Sequence, residues 1–214
     1  MPRTRLSSKA RGGGQAANRA YVIGTIFALT LLALPGCEGS KNRELAQGFV
    51  AQFERIAEQR KTLDKLEAEG KQYDQQLEKD IQEPNVTKRA KALGVWVGEY
   101  KAMLSQAKSV ADAQSTITDT MVADTVKLSG DAARYAREVT DALRDDVSLL
   151  RREADIGAQV IALIESYVGN PNSTDLKQLE ELTKPLDDLD AKEEQTFQRS
   201  RDGVVRLRTA AGLP

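Results

Sequence analysis

Residues 131–168 read DAARYAREVTDALRDDVSLLRREADIGAQVIALIESYV, and this stretch decides the fold class. Small and apolar residues recur along it every seven positions, in two neighbouring rows. The first row is Ala136, Leu143, Leu150, Gly157 and Ile164, and the second is Ala133, Val147, Ala154, Ile161 and Val168, with Thr140 as its polar member. A seven-residue apolar repeat is typical of helices that pack along a left-handed seam. The stretch therefore predicts a long helix with one buried face.

Three further helical segments accompany this one. The first is predicted at 42–82 and ends before Pro84, because proline cannot continue a helix. The second is predicted from about 86 to 128, and the fourth from about 174 to 211. Pro185 lies inside the fourth segment, so a kink or a restart of the helix is expected there.

The boundary between the second and third segments depends on one residue. Gly130 suits the left-handed position that follows a helix, and Asp131 suits the first turn of the next helix. This chemistry favours a turn. The alternative is a single helix over 86–168, which would be about 120 Å long at 1.5 Å per residue.

Four segments of about 40 residues with short connections predict an all-α fold, an elongated antiparallel up-down helical bundle. Each helix would be about 60 Å long. The composition agrees, because aromatic residues make up only 5% of a chain rich in helix-forming residues. The alternative is a long hairpin of two or three helices whose exposed seam pairs with another chain, which leaves an oligomer open.

Residues 1–36 differ in character from the rest. Residues 1–20 carry five basic and no acidic side chains, and residues 21–34 carry no charge. A basic start, a short apolar run and small residues before a cleavage site are typical of a secretory signal peptide. The apolar run is shorter than the roughly 20 residues that a membrane-spanning helix needs. The alternative is an uncleaved N-terminal anchor.

The apolar run ends in Leu34-Pro35-Gly36-Cys37, which contains the single cysteine of the chain. This motif resembles the lipobox of bacterial lipoproteins. The resemblance implies that a signal peptidase recognises Leu34 and Gly36 and cuts before Cys37. It also implies that the Cys37 thiol carries diacylglycerol and that the new amine is acylated. The alternative is an unmodified cysteine in a plain secreted protein.

The resemblance predicts three parts: a cleaved signal peptide at 1–36, a lipidated N-terminus and short tether at 37–41, and a helical bundle domain at 42–214. It also predicts an extracytoplasmic location on a bacterial membrane. Glu38 follows the cysteine where aspartate would indicate inner-membrane retention, so the periplasmic face of the outer membrane is favoured. The expected partners are the membrane, through the lipid, and an unidentified envelope protein.

The chain contains no histidine, which removes the commonest general base and metal ligand. We therefore expect no enzymatic activity, no metal and no cofactor other than the acyl groups on Cys37. Binding of nucleic acid is not expected either, because removal of the leader leaves a mildly acidic chain without a basic cluster. The acidic residues at 187–194 and 145–146 are interpreted as solvated helix faces.

The first functional hypothesis is a non-enzymatic envelope lipoprotein that tethers or adapts through contacts of its helix faces. The second is a small-ligand-binding or sensing bundle of the periplasm, with Trp96 and Tyr100 as ligand or partner contacts. Aromatic residues at helical spacing are more often core residues. The third, a hydrolase that uses paired carboxylates, would need acidic residues held together in a cleft.

Overall fold

The protein is helical throughout the part that the structure, a computed structural model, describes: residues 37–171 and 176–214. These ranges contain no strand. The helices are α1 (Cys37–Ile81), α2 (Val86–Thr125), α3 (Gly130–Gly169), α4 (Gln178–Thr183) and α5 (Leu186–Ala210). The predicted all-α class is confirmed. The predicted signal peptide and residues 172–175 lie outside the described residues.

The third long helix, α3, is the centre of the packing. It contacts α2 along one side and α5 along the other, while α1 contacts α2 and, more sparingly, α5. Two ion pairs show that α2 and α3 are antiparallel. Lys101 lies 2.6 Å from Glu165, whereas Asp112, further along α2, lies 3.1 Å from Arg151, earlier in α3. The predicted antiparallel up-down bundle is confirmed, with α4 and α5 together forming its fourth helix.

The core divides into three clusters along the bundle. The cluster nearest Cys37 includes Phe49, Met121, Leu143 and Leu207; the middle cluster includes Leu63, Leu66, Ala111 and Leu150; the far cluster includes Leu93, Trp96, Ile164 and Leu189. Both predicted rows of α3 are buried except Val168, which is half-buried. The seven-residue repeat therefore identified the buried face of the central helix correctly.

Local chemistry sets the ends of α2 and α3. The Asn85 side chain accepts a hydrogen bond of 3.0 Å from the backbone N–H of Lys88 and caps the start of α2. Gly130 has φ +60°, the left-handed conformation that glycine adopts most readily. The turn predicted there is confirmed, and the alternative of one helix over 86–168 is wrong.

The predicted start of the first helix was five residues too late. The sequence predicts a short tether at 37–41, whereas α1 begins at Cys37 and includes those residues. No proline interrupts this segment, and a single glycine costs a helix only about 1 kcal/mol.

The fourth predicted helix is divided at its proline, as expected. α4 ends at Thr183 and α5 begins at Leu186, with Pro185 as the residue that precedes it. Proline has no backbone N–H to donate, so it is tolerated only near the start of a helix. The predicted start at 174 lies outside the described residues, and α4 begins at Gln178.

The closest approach of α3 and α5 gives a first testable prediction. A Cβ atom on Gly203 would lie 2.6 Å from Cγ2 of Val139, which is fully buried and stiff because its side chain is β-branched. Gly203→Ala should lower the free energy of unfolding by about 1–3 kcal/mol through overpacking. Gly98→Ala is the control, since a Cβ there meets nothing within 4 Å, and it should raise stability by up to about 1 kcal/mol. Urea unfolding followed by circular dichroism measures the stability of both variants. Equal stabilisation by the two substitutions would contradict the close approach of Gly203 to Val139.

Candidate functional site

The residue predicted to carry lipid lies at the very beginning of the described bundle. Leu34 and Gly36, the predicted peptidase recognition residues, lie outside the described residues. Five residues after Cys37, Asn42 joins α1 to the turn between α2 and α3. The backbone N–H of Ser129 donates to Asn42 Oδ1 at 3.0 Å, and Asn42 Nδ2 donates to the Ser129 carbonyl at 3.5 Å. Cys37 is therefore continuous with a helix that is fixed to its neighbours within two turns.

Trp96 and Tyr100, the predicted ligand contacts, lie at the opposite end of the bundle. Their rings stack with centroids 4.5 Å apart and planes inclined by 17°. Trp96 is 2% exposed, and its indole Nε1 donates a hydrogen bond of 3.0 Å to the backbone carbonyl of Tyr73 on α1. Much of the surface of Trp96 is thus taken up by contacts within the bundle.

A shallow surface groove lies between α1 and α2 beside Trp96. Its volume is about 330 Å³. The groove is lined by Tyr73, Gln76 and Asp80 of α1 and by Ala92, Val95, Trp96 and Glu99 of α2. Tyr100 is not part of the lining. We refer to these seven residues as the α1–α2 groove.

A second polar feature lies inside the bundle, between its apolar clusters. Arg60 of α1 pairs with Asp146 of α3, at 3.2 Å between Nη1 and Oδ1, and with Glu193 of α5 through Nη2. All three side chains are buried; Asp146 is 0% exposed. The guanidinium of Arg60 also lies 5.1 Å from the ring centroid of Phe197, a cation–π distance. We refer to Arg60, Asp146 and Glu193 as the arginine layer.

A further carboxyl group adjoins the arginine layer. Glu153 of α3 hydrogen-bonds with Glu193, and burial together with this contact raises the pKa of Glu153 to about 9. Burial also raises the pKa of Asp146 to about 7, although the positive charge of Arg60 opposes the shift. Near neutral pH, Glu153 is therefore a protonated donor to Glu193, and Glu193 in turn is the ion-pair partner of Arg60.

Two glutamines near the same level have incomplete hydrogen bonding. Gln114 of α2 is 1% exposed, and neither its Oε1 nor its Nε2 has a partner within the described structure. Oε1 of Gln59 on α1 is likewise buried and unpaired. A buried amide without partners costs about 1–3 kcal/mol, so this level of the bundle is less favourable than the apolar clusters on either side.

The interpretation of the acidic runs as solvated faces was wrong for two residues. Asp187, Asp188 and Asp145 are exposed as expected, but Asp146 and Glu193 are buried. A signal was present in the sequence. Glu193 follows Leu189 by four residues and precedes Phe197 by four, so it occupies a step of the apolar seam. Arg60, which the sequence analysis did not single out, stands in the same way between Ile56 and Leu63.

The chemistry of these features differs. The arginine layer and Glu153 hold protons and charge inside the bundle and share no residue with the α1–α2 groove. Among the described residues, no three or more of His, Cys, Asp and Glu are placed to hold a metal ion. In the same part of the chain, no helix has the length and apolar character needed to cross a membrane.

Comparison of the chain with protein-family models, with curated proteins and with solved structures found no match.

The protonated glutamate gives a prediction on pH. The folded protein holds a proton on Glu153 up to about pH 9, whereas an unfolded glutamate releases it near 4.5. Because the folded state binds the extra proton, its stability should fall as pH rises from about 5 to 9. Glu153→Gln keeps a donor to Glu193 without titrating, so the stability of this variant relative to wild type should increase over that range.

Urea unfolding at pH 5, 7 and 9 tests this prediction. Glu69→Gln is the matched control, since Glu69 is exposed on α1 and its variant should follow the wild-type profile. Parallel pH profiles of wild type and Glu153→Gln would show that Glu153 does not hold the proton.

Proposed function

We propose that this protein is a membrane-anchored, non-enzymatic lipoprotein of the bacterial cell envelope whose bundle acts as a spacer and adaptor. The observation that carries the proposal is the continuity of α1, which runs for 45 residues from Cys37 itself. At 1.5 Å per residue this helix is about 67 Å long. Acyl chains on Cys37 would therefore hold one end of a rod, with no flexible linker between the lipid and the bundle.

The position of the helix ends supports an adaptor role. The turn between α2 and α3 lies beside Asn42, at the Cys37 end of the rod. The connection between α1 and α2, together with the α1–α2 groove, lies at the other end. Tyr73 and Asp80 follow Cys37 by 36 and 43 residues in α1, or about 54 and 65 Å along the helix. The lipid would thus present the groove well away from the membrane surface.

Intact-protein mass spectrometry of the detergent-extracted protein tests the proposal. The expected mass is that of residues 37–214 plus two or three acyl chains. A mass equal to the full 214-residue chain would overturn it. The leader would then be a permanent part of the protein, and an uncleaved N-terminal anchor would replace the lipid.

A second candidate function is the binding of a small ligand between helices. The groove of about 330 Å³ beside Trp96 favours it, because its volume lies at the lower end of the range of small-molecule sites. Against it, Trp96 and Tyr100 are packed on each other and the groove lies at the surface. Thermal-shift measurement with a library of small envelope metabolites would distinguish the two, since a pure spacer would show no ligand-dependent rise in melting temperature.

A further inference from the structure

The α1–α2 groove has an apolar centre. Val95 projects from α2 and is 60% exposed, one of four exposed valines among the described residues, with Val86, Val126 and Val205. Ala92, one turn before it, and the neighbouring Trp96 extend the apolar floor. Exposed apolar surface in a concave site is typical of regions that bind another molecule.

A carboxylate lies at each end of this centre. Because α1 and α2 are antiparallel, Asp80 lies toward the Ala92 end of the groove, and Glu99 lies toward the other end, near Tyr73. The two ends of the groove, at Ala92 and Glu99, are seven residues apart on α2, or about 10 Å along the axis. Asp80 accepts a hydrogen bond of 2.8 Å from the Gln76 amide, and among the ion pairs of the described residues none involves Asp80 or Glu99. The groove therefore offers two carboxylates without a direct ion-pair partner, separated by an apolar surface.

This arrangement is complementary to one kind of partner. A helix that carries basic side chains seven residues apart presents both on one face, about 10 Å from each other. An apolar residue midway between them, at the third or fourth position, falls on the same face. Such a helix would place its apolar side chain on Val95 and its two cations beside Asp80 and Glu99. Laying the apolar face of a helix into a groove is a common mode of recognition.

We propose that the α1–α2 groove docks a helical segment of a partner protein that carries two basic residues seven positions apart, with a large apolar residue between them. This proposal rests on the proposed adaptor function, because docking at the groove supplies the partner contact that an adaptor needs at the end far from the lipid. Binding at the groove itself does not require the lipid.

Direct binding of designed peptides tests the proposal. The protein is the full chain as extracted in detergent. The probe is a dye-labelled, tryptophan-free 18-residue helical peptide with lysines at positions 5 and 12, leucine at 8, and alanine and glutamine elsewhere. Fluorescence anisotropy measures its affinity. Trp96 is the single tryptophan of the chain, so a change in its emission reports binding beside the groove. A second peptide with glutamate in place of both lysines should bind at least tenfold more weakly, and added salt should weaken binding of the first.

Variants locate the binding site. The double variant Asp80→Asn and Glu99→Gln should lose at least tenfold in affinity for the lysine peptide, and so should Val95→Gln. The matched control is Asp64→Asn with Glu69→Gln, which removes the same charge from exposed positions of α1 outside the groove. All are surface changes, and circular dichroism confirms that each variant is folded.

Several results would overturn the proposal. Equal affinities for the lysine and glutamate peptides would show that the groove does not discriminate between positive and negative charge. An equal loss of affinity in the groove and control variants would show the same. If spermidine displaced the peptide completely, with an affinity equal to that of the peptide, the occupant of the groove would be a small polyamine. A concentration-dependent change in Trp96 emission without peptide, with an increase in molecular mass, would make a second copy of this chain the occupant. None of these results depends on the acylated mass, which separately decides the proposed anchoring.

Discussion

Replacing Cys37 by alanine is expected to move protein that lacks residues 1–36 from the membrane fraction to the soluble fraction. Each buried methylene of an acyl chain contributes about 0.8 kcal/mol, and stable anchoring needs two chains or more. A diacylated or triacylated Cys37 meets this requirement, and alanine cannot be acylated at its side chain. We therefore expect nearly complete release, measured by immunoblotting of membrane and soluble fractions after salt and carbonate washes.

Gly39→Ala is the control for this experiment. Gly39 is exposed, and a Cβ there meets nothing within 4 Å, so the variant should remain in the membrane fraction. The released Cys37→Ala protein should keep the helical circular dichroism of the wild type, because the substituted residue is at the end of α1. Retention in the membrane of Cys37→Ala protein that lacks residues 1–36 would contradict lipid anchoring, whereas protein that keeps residues 1–36 would be held there by residues 21–34.

The largest expected effect on stability comes from the arginine layer. Arg60→Met should lower the free energy of unfolding by about 3–5 kcal/mol at about pH 9, where it leaves buried carboxylates without their cation. Asp146 and Glu193 are 0% and 8% exposed, so water cannot replace the guanidinium easily. Arg55→Met is the matched control on an exposed position of the same helix and should change stability by less than about 0.5 kcal/mol.

Two further measurements separate charge from packing. The loss caused by Arg60→Met should shrink as pH falls from about 9 to 7, since the pKa of Asp146 is raised to about 7 even beside Arg60 and the pKa of Glu193 is raised as well, so both groups can take up protons once Arg60 is gone. The triple variant Arg60→Met, Asp146→Leu and Glu193→Met should recover most of the loss, because apolar replacement of a whole buried ionic group is often neutral or stabilising. A loss that is independent of pH and remains in the triple variant would show that Arg60 acts through packing alone.

The parts of the fold that were predicted from sequence are those set by neighbouring residues. The turn at Gly130 follows from its left-handed backbone, and the break at Pro185 from the missing N–H. The buried face of α3 follows from a repeat that lies entirely within one helix. Each of these depends on residues a few positions apart, so a single sequence contains the whole argument.

The burial of Arg60 and Glu193 had a signal in the sequence, but their pairing in the arginine layer could not be predicted because it joins residues far apart in sequence. Arg60 and Glu193 meet only because α1 and α5 are rotated and aligned so that a polar residue of one faces a polar residue of the other. Sequence periodicity identifies the face of each helix but not how two faces are aligned. The α1–α2 groove has the same origin, since Asp80 and Glu99 share a surface only through the pairing of two helices. Trp96 was identified as a candidate contact, whereas the carboxylates beside it were not.

The unbroken start of α1 has a consequence for how a partner would encounter this protein. A binding site on a flexible linker samples a large volume, and its effective concentration for a fixed target falls as the linker lengthens. With α1 continuous to Cys37, and Cys37 acylated as proposed, the groove would instead be confined to a narrow range of heights above the bilayer. For a target at that height the effective concentration of the α1–α2 groove would be high, and for a target at another height it would be close to zero. The length of α1 would then select partners by the distance of their binding segment from the membrane surface, before any contact between side chains forms.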